Sequence, residues 1–250
     1  MYQHPNKAVI FEDWGRIDYA DAWNRQKDYL HRTAELKMAA RRADREPVTP
    51  NYLVFCEHPP VYTLGKSGDA GHLLVPRAEL EQRGVQFYQV ERGGDITYHG
   101  PGQLVGYLIL DLENFMTDLD RFLRSIEQAI IDVLATYGLR ADRYPGYTGV
   151  WLAPHTPAER KIAAIGIKCS RWVSMHGFAF NVHTDLSYFS HIVPCGIAGK
   201  AVASLDRELA APPTLAQVKE RMRTALAAVF EWEYVENFQH LSTKNMGKSH

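Results

Sequence analysis

Long hydrophobic runs are missing from this chain. Nowhere do its apolar residues approach the roughly 18 in a row that a membrane-spanning helix needs, so no transmembrane segment is expected. Its first residues, MYQHPNKAVIFEDWGR, carry charges and a proline where a secretion signal needs an uninterrupted apolar stretch, and a cytoplasmic location is the expectation. An excess of charge is missing too. A formal net charge of −1 over 250 residues argues against a protein held on nucleic acid by bulk electrostatics. The local basic cluster Ala40–Arg45 reads as a solvated helix end. Cysteine is scarce: Cys56, Cys169 and Cys195 are far apart and form no CxxC pair, which makes a poor disulfide framework and a poor zinc site, and suits a reducing compartment. GxxxxGK[ST] and GxGxxG, the usual phosphate-cradling signatures, are both absent.

What is present is an ordinary globular composition, 46% hydrophobic and 23% charged, with enough chain for one substantial core and no linker to divide it. Ile17 to about Arg42 reads as an amphipathic helix with Tyr19, Trp23, Leu30 and Ala34 on one face, ended by the prolines of EPVTP. YLVFCEHPPVYTLG (52–65) starts as a β-rich run and breaks at Pro59–Pro60; VQFYQVE (85–91) is a second strand. LVGYLILDL (104–112) is almost continuously apolar, as in a strand buried on both faces. Leu119–Tyr137 keeps an i, i+3, i+4, i+7 rhythm between an Asp118 N-cap and a Gly138 stop. GYTGVWL, KIAAIGIKC and SMHGFAFNVH then read as an antiparallel meander, and Thr214–Trp232 as a closing helix with a Thr214/Gln217 capping box. The order helix, strands, helix, strands, helix predicts an α/β (α+β) fold: one mixed sheet with packed helices, residues 1–235 forming a single domain and 236–250 a polar tail.

Between two of these strands lies RGGDITYHGPGQ (92–103), too polar and glycine-rich for an ordinary strand or helix. Glycine suits sharp turns and close approach of the backbone to something else. With an apolar strand following it, this stretch suits an apolar or carbonyl-bearing ligand better than a phosphate; close crossing of strands is the plainer alternative. AAIG (163–166) and HGFAF (176–180) would extend the same small-residue surface, and together they could line a tunnel for an unbranched chain.

Cys56 and Cys169 sit in strands and read as small packed residues. Cys195, in HIVPCGIAGK, lies between a proline and a glycine in a segment of little periodicity, where a thiol can be aimed at a cleft. A nucleophilic thiol needs a base or a cation beside it. Lys161, Lys168, His99, His176, His183 and His191 are the candidates; Lys161 also reads as a surface strand-end lysine and His176 as a core histidine.

Taken together, RGGDITYHGPGQLVGYLILDL, EHPPVYTLGK, RKIAAIGIK, HGFAFNV and IVPCGI resemble, in order and over roughly Tyr52 to Leu205, the octanoyl-acyl-carrier-protein:protein octanoyltransferases of lipoate biosynthesis. The resemblance implies the biotinyl/lipoyl protein ligase-like fold and a two-step acyl transfer through Cys195, with Lys161 as its partner. It places substrate binding on Arg92, Gly93, Gly94, Asp95, Ile96, Thr97, Tyr98, His99, Ala164, Ile165, Gly166, Gly177, Phe178 and Ala179, with no metal. It implies octanoyl-acyl carrier protein as donor, its phosphopantetheine arm bringing the acyl group, so that no ATP or other cofactor is needed. The implied acceptors are apo lipoyl domains of 2-oxoacid dehydrogenase E2 subunits and the glycine cleavage H protein, with no nucleic acid and no membrane as partners. Residues 34–50 and the chain after Glu233 match no motif; Arg41, Arg42 and Arg45 are a hypothetical contact for the acidic carrier. An ATP-dependent lipoate ligase, a cysteine hydrolase and a non-catalytic carrier-binding module are the competing readings.

Overall fold

The computed structural model describes residues 2, 4–193 and 201–238. Strand β1 (Ala8–Arg16) precedes helix α1 (Tyr19–Arg42), and strands β2 (Tyr52–Glu57) and β3 (Val61–Leu64) follow it. Next come α2 (Arg77–Gln82), β4 (Gln86–Gln89), β5 (Ile96–His99), β6 (Gln103–Ile109) and α3 (Leu119–Thr136). The chain continues through β7 (Ala141–Tyr144), β8 (Tyr147–Leu152), β9 (Arg160–Ser170), β10 (Val173–Asn181) and β11 (Ala201–Val202) to α4 (Leu205–Glu208), α5 (Leu215–Phe230) and β12 (Glu233–Val235).

The large sheet runs β12-β1-β2-β6-β10-β9-β8-β7, with β11 parallel to β9; a small sheet runs β4-β3-β5. Side-chain alternation decides what each face carries. Tyr52, Val54, Cys56, Val105, Tyr107 and Ile109 pack with Ala22, Leu30 and Ala34 of α1. Leu53, Phe55, Leu104 and Leu108 face the other way, onto Phe122, Ile126 and Ile130 of α3 and Met222 and Leu226 of α5. All seven residues of β6 are therefore buried, as its unbroken apolar run predicts.

The caps follow the sequence signals. Asp118 accepts from the Arg121 N–H, and both halves of the Thr214/Gln217 capping box are made. The strands β8, β9 and β10 pair antiparallel as their spacing predicts. The short elements α2, β7, β11, α4 and β12 were not expected from the sequence, and two further departures have a clear physical reason. The chain opens with β1, which lies parallel to β2 and β12; its acidic Glu12 and Asp13 disguise a strand, but Glu12 accepts from Trp14 Nε1 and the Tyr29 hydroxyl. The glycine-rich stretch is not loop throughout: Ile96–His99 pairs with β3 as a short strand. Four β-forming residues suffice there because the glycines on either side make the turns. Residues 239–250, and with them most of the expected tail, lie outside the described residues. Among the described residues no helix is long and apolar enough to cross a membrane.

Candidate active site

A cavity of about 590 Å³ opens between the small sheet and β6, β10 and β9 of the large one, a size suited to a small ligand. Its wall on β9 and β10 is built from small residues placed opposite each other: Gly177 pairs with Gly166 and Ala179 with Ala164, while Phe178 and Ile165 add apolar surface. Over them runs the loop 92–95. Gly93 donates to the Ile167 carbonyl at 2.9 Å, and a Cβ on Gly65 would stand 2.1 Å from the Gly94 carbonyl oxygen. The loop is wedged between β9 and the end of β3, so both the close strand crossing and the cavity account for its glycines.

A directed hydrogen-bond chain stiffens one side. Buried Arg92 donates to the carbonyl of Thr63 at 2.7 Å and to its hydroxyl at 2.9 Å. The Thr63 hydroxyl in turn reaches His99 Nε2 at 3.3 Å, and His99 Nδ1 donates to Gln103 Oε1 at 2.8 Å. Gln103 Nε2 donates to Asn181 Oδ1, and Asn181 Nδ2 to the Ala203 carbonyl. These links fit a neutral His99, and burial, with the positive field of its neighbours, pushes that imidazole down to about 3. His176, buried against α1 and also lining the cavity, is pushed down to about 3 by burial. His58 behaves alike, pushed to about 4: its Nδ1 donates to the Ile17 carbonyl, so its Nε2 accepts from the Tyr107 hydroxyl at 2.7 Å.

Lys161 lies at the edge of the cavity, only 8% exposed. Its Nζ donates to the Thr148 carbonyl at 3.2 Å and stands 4.7 Å from the centre of the Trp151 ring. At the cavity wall near Ser67, His72 Nδ1 meets Asp95 Oδ2 at 2.5 Å. The His72 carbonyl accepts from the Val193 N–H at 2.8 Å, and Val202 pairs with Lys161. These are described residues on either side of the segment that holds Cys195. Cys195 itself lies outside the described residues.

Among the other sequence-predicted residues, Arg92, Gly93, Gly94, Asp95, Ile96, Thr97, His99, Ala164, Ile165, Gly166, Gly177, Phe178 and Ala179 all line the cavity. Tyr98 does not: strand alternation turns it to the opposite face of the small sheet, where its ring stacks on Tyr188 at 4.6 Å. Three of the residues considered for assisting a thiol are engaged elsewhere. Lys168 pairs with Glu91, His183 Nε2 donates to the Pro213 carbonyl, and His191 meets the Tyr62 hydroxyl. Burial raises the thiols of Cys56 and Cys169, in keeping with packed, unreactive groups. Sequence reasoning missed Gln103, Tyr107, Asn181 and Thr148 on the wall and His72 beside Asp95. For the first two the signal was there: Gln103, Val105 and Tyr107 alternate along β6. Among the described residues no cluster of histidine, cysteine and carboxylate side chains is arranged to hold a metal ion.

Comparison with known proteins gives a consistent picture. The lipoyl protein ligase A/B catalytic domain family matches residues 18–227. An octanoyltransferase of Cytophaga hutchinsonii is 51% identical over 243 residues, 96% of this chain and 99% of that protein. One from Christiangramia forsetii is 51% identical over 229 residues, covering 91% and 98%. In three dimensions the chain is similar to the bipartite lipoate protein ligase of Thermoplasma acidophilum. That likeness has a TM-score of 0.64 at 17% identity and covers 98% of this chain and 93% of the other, a likeness of fold.

Proposed function

The chain belongs to the lipoyl protein ligase A/B catalytic domain family, and on that footing we propose how it works as an octanoyl-transferring acyltransferase in protein lipoylation. Octanoate arrives as a thioester on the phosphopantetheine arm of acyl carrier protein. The thiolate of Cys195 attacks the carbonyl carbon, the carbon–sulfur bond to the arm breaks, and the arm leaves as a thiol with the proton that Cys195 gave up. The ε-amine of one lysine on an apo lipoyl domain, of an E2 subunit or an H protein, then attacks the acyl-cysteine. A carbon–nitrogen bond forms, the second thioester breaks, and the amine's proton passes to Lys161 as the thiolate re-forms.

Thioester exchange is nearly balanced in energy and amide formation is downhill, so the sequence of steps runs without ATP. Lys161 favours the thiolate as a neighbouring cation, gives its proton to the departing arm in the first exchange and takes the acceptor amine's proton in the second. Backbone N–H groups beside the reacting carbonyl would hold the oxyanion. The cytoplasm, where acyl carrier protein is charged, is the proposed location.

The observation that carries this reading is the cavity itself: an apolar wall of paired small residues, Ala164 against Ala179 and Gly166 against Gly177, ending at the buried amine of Lys161. It suits an unbranched acyl chain with its carbonyl at the lysine. The test is intact mass after mixing with octanoyl-acyl carrier protein in the absence of ATP, beside a Cys195→Ser variant. An octanoyl adduct on the native chain only, which moves to an added apo lipoyl domain, is expected. No adduct while the carrier stays loaded would overturn the thioester route, and ATP-dependent modification surviving in the variant would point to a ligase.

A further inference from the structure

Helix α3 buries one carboxylate in its apolar face. Glu127 sits 0% exposed beside Ile126 and Ile130, a costly place for a charge unless it is well partnered. Its Oε2 meets Arg124 NH1 at 2.9 Å and Arg143 Nε at 3.2 Å, while its Oε1 accepts from the Gly149 N–H at 2.8 Å. The two arginines balance the charge by proximity but give the buried Oε2 no well-formed hydrogen bond, whereas the bond that Oε1 makes to Gly149 reaches into β8.

The far side of that contact is Lys161. The Gly149 N–H and the Thr148 carbonyl are the two ends of one planar peptide unit, and in a trans peptide they point in opposite directions. The carbonyl end accepts from Lys161 Nζ at 3.2 Å. The backbone around it is unusual. Gly149 takes φ +126°, open to glycine alone, and a Cβ there would stand 2.6 Å from the Ala163 carbonyl oxygen and 3.3 Å from Lys161 Cε. Beside it the β8–β9 register shifts: Val150 pairs with Ala163 but Trp151 with Lys161, a bulge of the kind that re-aims a side chain.

We propose that Glu127 is a positioning residue for acyl transfer, holding the Thr148–Gly149 peptide so that its carbonyl fixes the Lys161 amine at the cavity wall. The inference rests on the reading of Lys161 as the partner of the reacting thiol. It assigns Glu127, whose carboxylate touches neither cavity nor substrate, a role beyond tying α3 to the β7–β8 hairpin.

The test uses four variants of the full chain. The readouts are the single-turnover rate of octanoyl-adduct formation at saturating carrier, the KM for the carrier, and acetic-anhydride labelling of Lys161 read by peptide mass. Glu127→Met removes the acceptor, and the rate is expected to fall about tenfold or more at unchanged KM, since misplacing a reacting group by an ångström costs up to about a hundredfold. Labelling of Lys161 is expected to change with it. Glu127→Gln keeps an acceptor for Gly149 and should restore most of the rate. Should the Met variant not fold, Glu127→Asp keeps the charge near the arginines but falls one methylene short of Gly149, and the same loss is expected. Arg143→Met weakens the ion pair but leaves the Gly149 bond, so it should lower the melting temperature with the rate nearly native.

Native rate and native labelling in the Met or Asp variant, or a rate loss in Arg143→Met equal to theirs, would overturn the proposal. Lys161→Met separates the two readings: if it transfers at the native rate, the role of Lys161 fails whatever Glu127 does. If it is inactive while Glu127→Asp is native, the positioning role alone fails.

Discussion

A Cβ on Gly166 would stand 2.8 Å from the carbonyl oxygen of Gly93, so the glycine loop and β9 touch backbone to backbone where the cavity closes. What approaches the loop's backbone on one side is a neighbouring strand, and the space left on the other is the cavity. Gly166→Ala must therefore displace the loop or Arg92, whose Cδ lies 3.2 Å from the same Cβ. Overpacking of this kind costs about 1–3 kcal/mol. A lower melting temperature is expected by calorimetry, together with slower octanoyl-adduct formation; an unchanged value for both would mean the loop is free to move away.

Ala164 and Ala179 face each other across β9 and β10 on the cavity wall. Leucine at position 164 would fill the space proposed for the acyl chain. Octanoyl transfer is expected to fall by at least about 10- to 200-fold, the range for a single methylene in an apolar pocket, while butanoyl transfer is less affected. Competing the two acyl carriers in one reaction measures the ratio. An equal loss for both chain lengths would place the acyl group elsewhere.

Acid should loosen the fold through its buried histidines. His58 is pushed to about 4, and His99 and His176 to about 3, each by burial, whereas in the unfolded chain all three titrate near the ordinary 6.5. The unfolded chain therefore binds more protons below that value. The stability these groups contribute is complete above pH 6.5 and is lost as pH falls toward 4 and then 3. Each accounts for roughly 1–2 kcal/mol between pH 7 and pH 5. Urea midpoints at the two values test this, and a His99→Gln variant should show a shallower pH dependence than the native chain.

Lys37 and Asp111 form an ion pair at 2.7 Å with both side chains almost wholly buried, 1% and 0% exposed. Asp111 also accepts from the Thr49 hydroxyl at 2.9 Å and the Tyr2 hydroxyl at 2.7 Å, so this one carboxylate ties α1 and the N-terminal residues to the end of β6. Lys37→Met leaves the carboxylate unpaired and should cost about 3–5 kcal/mol. Adding Asp111→Leu removes the stranded charge, and part of the loss should return. Urea denaturation of the two variants distinguishes an ion pair that holds the helix from one that merely fills space.

Much of this was legible along the chain because it is local. Caps depend on side chains within three residues, as at Asp118 and Thr214, and a strand buried on both faces, like β6, shows as an apolar run. The small-residue patches at 163–166 and 176–180 are visible as composition, and the motifs around them suffice to indicate the family. Strand β1 was not legible, because Glu12 becomes tolerable only when Tyr29 of the next helix arrives to donate to it. Nor was Tyr98 separable from Thr97 and His99 until β5 was seen as a strand, whose alternation puts neighbours on opposite faces.

By itself, then, the sequence determined the three long helices, the central strands, the family and the segments that build the cavity, because each of these depends on near neighbours or on periodicity. Only the tertiary structure decided which lysine has a carbonyl and an indole beside it, that His99 is buried where its charged form is disfavoured, and that Glu127 reaches Lys161 through a single peptide. Those are contacts between residues far apart in the chain, here 34 positions in the case of Glu127 and Lys161, and they exist only once β8, β9 and α3 have packed.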